Sequence, residues 1–501
     1  MDTPQGTPGA IRLVGASGKF NTSRHHLGLC RCVILTGRYS TSDKDVIDLF
    51  NGNDTVFANR LRAALAAVVN RHPMLRVGIA NEGSADPEFI ALRTINLQQV
   101  IDWRNHTAPY DDKVLIKSLE KDHDQLWSHV DSQPPWKIIV NQPPASQQSA
   151  GSCFVDISFA FHHAIGDAES ALIFHRDLVQ ALNDDASHST LAMDKKDVLS
   201  IKSAADLPGP LEEVVPLKTS WIYVLCVLAF MMWSKIAPAW LKADPAKGPW
   251  GGKQITFEPF ETRLSILNIP NSTLSSTLKK CREKGTTLTP LLHALVLRSL
   301  SSRLHDNEAN SFRASTPISL RYLTNTGFDR RNTMHCLVTS HEFHYKQHMV
   351  SSLRAASQDD ADASIWSAAT SLGQSLRSKV SSLPKNDQMG LLGFVSDWQQ
   401  FWANKLGAYR NDSWSCSNVG SLKAADSGAQ AEGGTWVVDR LVFTQGALPA
   451  GPTFQVNVVG VENKGITITF SSQGGIVDEA LIQAVASDIE ASLAGFASSG
   501  N

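Results

Sequence analysis

Apolar positions change period from segment to segment along this chain, and the changes outline its architecture. Between Asp54 and Arg71, the residues Leu61, Ala64, Leu65 and Val68 fall at i, i+3, i+4 and i+7 and make one apolar stripe of a helix. Pro73 ends that helix. Short apolar runs from Leu75 to Ile79 and, after Pro134-Pro135, from Trp136 to Val140 predict strands. Residues Cys153 to Phe161 read CFVDISFAF, apolar, aromatic and β-branched almost throughout, which predicts a largely buried strand. From Ala168 to Leu182 the period is helical again, with Leu172, Ile173 and Leu178 on the apolar side.

The second half repeats this texture without a sequence repeat. Thr289 can cap a helix whose first position is Pro290, followed by Leu292, Val296 and Leu300 at helical spacing. Strands are predicted at Arg313 to Leu320, Met334 to Thr339, Thr453 to Val461 and Gly465 to Ser471, and a last helix at Asp478 to Leu493. Between the halves, from about Asn183 to Gly252, loop-forming residues surround one apolar stretch, which reads as a long crossover. The expected organisation is an α/β (α+β) protein of two lobes, each of strands and helices. Residues 1–205 form the first lobe, 206–255 the crossover and 256–501 the second.

Length agrees, since 501 residues exceed one ordinary core of about 100–200 residues. Charge narrows the partners. The net charge of -2, from 46 basic and 48 acidic residues without a basic cluster, argues against nucleic acid. The seven cysteines are odd in number and show no zinc spacing, and Cys30 and Cys32 would share one face of a strand. A reducing, intracellular and cytoplasmic setting is expected. The first residues, MDTPQGTPGAIRL, show no secretory signal, and the final SGN is no recognised address.

The apolar stretch in the crossover, Trp221 to Trp233, reads WIYVLCVLAFMMW. As a helix it is about 20 Å long, short of the roughly 30 Å of a bilayer core. Its aromatics Trp221, Tyr223 and Trp233, with Trp240 and the flanking Lys218, Lys235 and Lys242, are what an interfacial segment carries. A buried core helix and an apolar lid packed on the protein are the alternatives, with peripheral membrane contact through 221–233 as the third reading.

The chemistry concentrates at the end of the buried strand, in His162-His163-Ala164-Ile165-Gly166-Asp167. A histidine held at a strand end can accept a proton near neutral pH, because its unperturbed pKa is about 6.5. No Gly-x-Ser-x-Gly elbow is present, so a base without its own nucleophile fits direct attack by a bound acceptor. Asp167 either orients the imidazole or turns inward, where a buried carboxylate needs a cationic partner. His162 would face away from His163 if the strand persisted, which favours an architectural role. The run His341 to His348 is histidine-rich, but on a strand His341 and His344 face opposite ways, and no metal site is expected there.

A His-His-x-x-x-Asp segment after a buried strand resembles the active-site motif of the chloramphenicol acetyltransferase-like superfamily, which includes BAHD acyltransferases and condensation domains. The chain looks most similar to the fungal alcohol acetyltransferase family. Leu61 to Val77 (LRAALAAVVNRHPMLRV) resembles that family's first helix and following strand. Thr316 to Arg321 (TPISLR) resembles its Pro-x-x-Leu-Arg strand, Ser417 to Gly420 (SNVG) its Ser-Asn-x-Gly turn, and FQVNVVGVENKGITITFSSQGGIVD its closing hairpin. These segments cover most of the chain in the expected order.

The resemblance implies a two-lobed fold of mixed sheets flanked by helices, with an active-site tunnel between lobes. It makes His163 the general base, Asp167 a structural member of the motif, and Arg321 its partner. Ser417 and Asn418 become the substrate or oxyanion candidates. An acyl-CoA, acetyl-CoA first among them, would be the co-substrate, no bound cofactor is expected, and the acceptor would be a hydroxyl of a small specialised metabolite. A monomer is expected. The family often has Gly after the Asp, where this chain has Ala168, and the Asp-Phe-Gly-Trp-Gly motif of plant enzymes is absent. The alternative on the same fold is a condensation or cyclisation catalyst that uses His163 as a plain acid and base without acyl transfer.

Overall fold

The computed structural model describes residues 9–41, 54–148, 153–184, 197–201, 206–236, 248–355, 358–428 and 436–498. The strand predicted at Cys153 to Phe161 is present over those residues, and every side chain in it except the half-buried Phe154 is buried. It is buried because it is central. The first sheet has five strands: β1 (Val33–Thr41), β2 (Ile101–Asn105), β3 (Trp136–Gln142), β4 (Cys153–Phe161) and β9 (Trp436–Gln445), in the order β9-β1-β4-β3-β2. β4 lies antiparallel between β1 and β3.

Helices α2 (Asp54–Arg71) and α3 (Ala168–Asn183) pack together on this sheet. Their apolar stripes, including Leu61, Leu65, Val68, Phe174 and Leu178, enter one core with Phe159 and Phe161 of β4. Phe159 stacks on Phe174 at 4.1 Å between centroids, which fixes α3 over the strand that precedes it. Arg38 of β1 binds Asp156 of β4 through two bonds of 2.8 and 2.9 Å, so the one acid inside the strand is paired.

The second sheet has six strands, with a second core beneath it: β5 (Thr262–Pro270), β6 (Phe312–Ser319), β7 (Val338–Tyr345), β8 (Trp414–Leu422), β10 (Phe454–Val461) and β11 (Gly465–Gln473), ordered β5-β11-β10-β8-β6-β7. Two lobes of mixed sheet and helices are therefore present, but the sheets do not follow the halves of the sequence. β9, from the second half, closes the edge of the first sheet by pairing with β1 over Trp436↔Thr41 to Gln445↔Val33.

Several expectations are corrected in detail. The helix expected to begin at Pro290, capped by Thr289, spans Leu288–Arg303 (α5) with Thr287 at its cap. Cys30 and Cys32 precede β1 rather than lying on a strand, and all seven cysteines are free. The segment Met334–Leu337 is not a strand: His335 and Leu337 bond to the side chains of Ser170, Asp167 and Arg321, and Leu337 O accepts from Leu320 N–H.

Candidate active site

β4 ends at Phe161, and a tight turn follows: His162 N–H donates to Pro135 O at 2.9 Å and Ile165 N–H to His162 O at 3.1 Å. Asp167 is the N-cap of α3. Its Oδ1 accepts from Ser170 N at 2.8 Å, and its own N–H donates to Ser170 Oγ at 3.2 Å, which completes a capping box. The spacing Asp-x-x-Ser was readable in the sequence, although the cap role was not anticipated. Ala168 is the first helical residue and has no positive φ, so glycine's conformational freedom is not needed there. Gly166 is needed for space, since a Cβ on it would lie 2.9 Å from Ser170 Cβ.

Asp167 and Arg321 meet as the family position implied. Arg321 Nη2 donates to Asp167 Oδ1 at 2.8 Å, with side-chain exposures of 7% and 3%. Arg321 also donates to Thr333 O at 2.7 Å and His335 O at 2.9 Å, and its Nε lies 2.7 Å from Glu169 Oε2. Asp167 Oδ2 accepts from Leu337 N at 3.1 Å. These bonds hold Met334–Leu337 in its irregular path and join the two lobes. Burial alone would raise the Asp167 carboxyl, but the Arg321 charge and these donors outweigh it and hold it below its ordinary value. Arg321 is held above its own, its burial outweighed by Asp167. Asp167 therefore ties the loop to the second lobe.

His163 is half-buried, and its Nδ1 lies 3.0 Å from Gly166 O. A carbonyl only accepts, so Nδ1 carries the proton and Nε2 keeps its lone pair. Burial, reinforced by the charge of Arg24, lowers the pKa of His163 and keeps the ring neutral. Cys336 Sγ lies 3.6 Å from the same Nδ1. Burial pushes that thiol up to about 12, so it rests protonated beside Nδ1 and is a poor nucleophile.

His162 belongs to a cluster that sequence reasoning missed. Its Nε2 and His25 Nδ1, from α1 (Gly15–His26), each lie 2.9 Å from Glu82 Oε1. Glu82 sits in the turn after the strand Val77–Ala80, beside Asn81 at φ 56°. Nothing in the local sequence Asn81-Glu82-Gly83 signals this role. The cluster's ligand atoms lie within 4.8 Å of one another, close enough to surround a cation. The hydrogen bonds argue for a different use. Ala164 N–H donates to His162 Nδ1 at 2.9 Å, which puts the ring proton on Nε2 and leaves no lone pair there for a metal. Burial and the neighbouring His25 bring His162 down to about 4, so it stays neutral despite Glu82. Burial alone would raise Glu82, but the two histidine N–H donors lower it to about 2. An ionised Glu82 thus locks the tautomer of His162 and, through Ala164, the turn that carries His163.

Ser417 and Asn418 lie half-buried on β8, against which α3 packs. Asn418 is committed to local structure: its amide donates to Thr289 at 3.1 Å and its oxygen accepts from Gly420 N at 3.0 Å, where φ is +85°. His341 and His344 lie on β7, and His341 is paired with Ser375 at 2.8 Å. A cleft of about 490 Å³ opens between α1, Glu82–Asp86 and the second-lobe residues Val395–Gln399, with Glu82 in its wall.

Comparison with known proteins matches this architecture. A family model described as alcohol acetyltransferase matches residues 51–481. The probable alcohol acetyltransferase FCK4 of Fusarium pseudograminearum is 29% identical, over 99% of this chain and 97% of that protein. The probable alcohol acetyltransferase crmB of Aspergillus fumigatus is 24% identical, over 92% and 94%. Among solved structures, the trichothecene 15-O-acetyltransferase TRI3 of Fusarium sporotrichioides aligns with a TM-score of 0.71 at 13% identity, covering 99% of this chain and 97% of that one. The first condensation domain of the calcium-dependent antibiotic synthetase aligns with a TM-score of 0.57 at 12% identity, covering 97% of each. The two structures share the fold with this chain.

Proposed function

The chain belongs to the alcohol acetyltransferase family, and on that premise we propose that this acyltransferase moves an acyl group from acyl-CoA to a hydroxyl of a small molecule, with His163 Nε2 as the base. Acetyl-CoA is the donor that the family suggests. The acceptor is a hydroxylated specialised metabolite, the class to which the acceptor named for the TRI3 structure belongs.

In the reaction, the acceptor hydroxyl gives its proton to Nε2 as its oxygen attacks the thioester carbonyl. The tetrahedral oxyanion then collapses, the carbon–sulfur bond breaks, and the imidazolium returns the proton to the CoA thiolate. Ser417 is the oxyanion donor we favour over Asn418, whose amide is already bonded to Thr289. The two substrates would meet in a tunnel between the lobes, and the cleft walled by α1, Glu82 and Trp398 is its proposed mouth.

The observation that carries this reading is the Nδ1–H to Gly166 O bond of 3.0 Å, which leaves Nε2 as the unprotonated nitrogen of a neutral ring. The test is release of CoA thiol from acetyl-CoA in the presence of a panel of alcohols, with and without His163→Ala. Full activity in that variant sinks the role.

A further inference from the structure

Helix α4 (Trp221–Ile236) is neither a core helix nor a packed lid. Trp221 and Ile222 are each 75% exposed, Phe230 73% and Leu225 62%, and Leu228, Met232 and Trp233 are exposed as well. Among the described side chains of the helix, Val224 is the buried one. At 3.6 residues per turn the exposed apolar positions sweep roughly 200° of the helix, far wider than the roughly 100° stripe that packs into a protein groove.

The chain is held just ahead of the helix, at Lys218–Ser220. Lys218 N–H donates to Pro384 O at 3.1 Å, Asn386 N–H to Lys218 O at 2.8 Å and Ser220 N–H to Asn386 Oδ1 at 2.9 Å. Thr219 packs so closely on Gly390 that a Cβ there would lie 2.2 Å from its Oγ1. The same support carries the exposed Phe394, at the end of the short helical segment Gln388–Phe394.

Charge selects the occupant. The uncharged run Trp221–Trp233 is flanked by Lys218 and Lys235 as its nearest charges, with Glu213 and Asp244 the nearest acids in the sequence, and the Lys218 side chain is exposed. Trp240 and Lys242, singled out in the sequence, lie outside the described residues. The contrast with the other long apolar helix is informative. Glu479–Ser498 is long and apolar enough to cross a membrane, but its stripe of Ile482, Val485, Ile489 and Leu493 is buried in the second core. Over its described residues α4 has no such burial, and those sixteen residues reach about 24 Å, short of the roughly 30 Å of a bilayer core.

We propose that α4 is a monotopic membrane anchor. It lies at the headgroup–acyl boundary of an anionic lipid surface with Trp221, Leu225, Phe230 and Trp233 among the acyl chains and Lys218 at the phosphates. The reading does not depend on the reaction proposed above.

The test is flotation of the full-length protein with vesicles of phosphatidylcholine and phosphatidylserine, and with phosphatidylcholine alone. The protein should float with the mixed vesicles and more weakly with the neutral ones. Ile222→Gln, Leu225→Gln and Phe230→Gln change exposed positions, so folding should be unaffected, and each should weaken partitioning about tenfold. Lys218→Glu should lower binding to the mixed vesicles and leave the neutral ones unchanged. A protein that stays at the bottom with both vesicles, or variants that float as well as the parent, would overturn the proposal. So would a dimer in solution that the glutamine variants dissociate, since the occupant would then be a second copy.

Discussion

Replacing Asp167 with Asn separates a structural from a chemical role for the motif's acid. Asn keeps the shape and one acceptor but leaves the Arg321 guanidinium, 7% exposed, without its buried counter-charge. Breaking one side of a buried pair typically destabilises by about 3–5 kcal/mol. Glu169 also contacts Arg321 at 2.7 Å but is 42% exposed, so solvent screens it and it offsets only part of the loss. We expect a loss of about 3 kcal/mol, a large share of the roughly 5–15 kcal/mol of a typical domain.

The assay is denaturant unfolding at neutral pH, with turnover measured on the folded protein. The folded variant should retain most of its turnover, because the acid is tied to Arg321. The sign with pH follows from the depressed carboxyl. Its contribution is fully present above the ordinary value of 3.8 and is lost as pH falls through the lower folded value, so variant and parent converge in acid. Adding Arg321→Met should recover about 0.5–3 kcal/mol relative to the sum of the single changes. Unfolding within about 0.5 kcal/mol of the parent, together with abolished turnover, would refute the reasoning and place Asp167 in the chemistry.

Other expectations follow from the same geometry. His163→Ala should slow thiol release by about 10²–10⁴-fold at unchanged stability. The rate should rise with pH through a pKa below the ordinary histidine value of 6.5 and then level off, as burial of a neutral base requires; a rate that falls as pH rises from 5 to 7 would contradict it. Glu82→Gln keeps the size but frees the tautomer of His162, and should lower kcat more than it raises KM; an unchanged kcat would make the cluster a packing feature. Ala168→Gly, at a helical position without positive φ, should destabilise slightly, by up to about 1 kcal/mol, and bring no gain in turnover. Histidines His123, His162, His175, His293 and His335 are buried, with pKa lowered by burial to about 3, 4, 4, 3 and 4. Because the unfolded chain takes up their protons first, stability should fall below pH 6.5 by about 1.4 kcal/mol per pH unit for each. Titration of the unfolding midpoint from pH 7 to 5 checks this.

The elements were legible where one pattern decided them. Asp54–Arg71 and Cys153–Phe161 have the bounds their periodicity predicts, because burial on one stripe or on both faces writes itself into composition over many residues. The motif was legible as a motif, and Arg321 as the partner of Asp167 by resemblance. The strand expected at Met334–Thr339 was not, because a backbone that bonds to Asp167, Ser170 and Arg321 carries the same apolar residues as one that bonds to a strand. Nor was the pairing of β9 with β1, which joins residues some four hundred positions apart.

By itself the sequence determined the periods of the elements, the position of the histidine loop at the end of a buried strand, and the apolar character of Trp221–Trp233. Those are local properties, set by side-chain chemistry over a few turns or pleats. Tertiary structure decided what each group faces. It turned Asp167 toward the second lobe, gave His162 to Glu82, put the ring proton of His163 on Nδ1, and placed Trp221, Leu225 and Phe230 in solvent. The physical reason is that proton position and burial depend on partners brought from distant parts of the chain, and no spacing within a single segment encodes them.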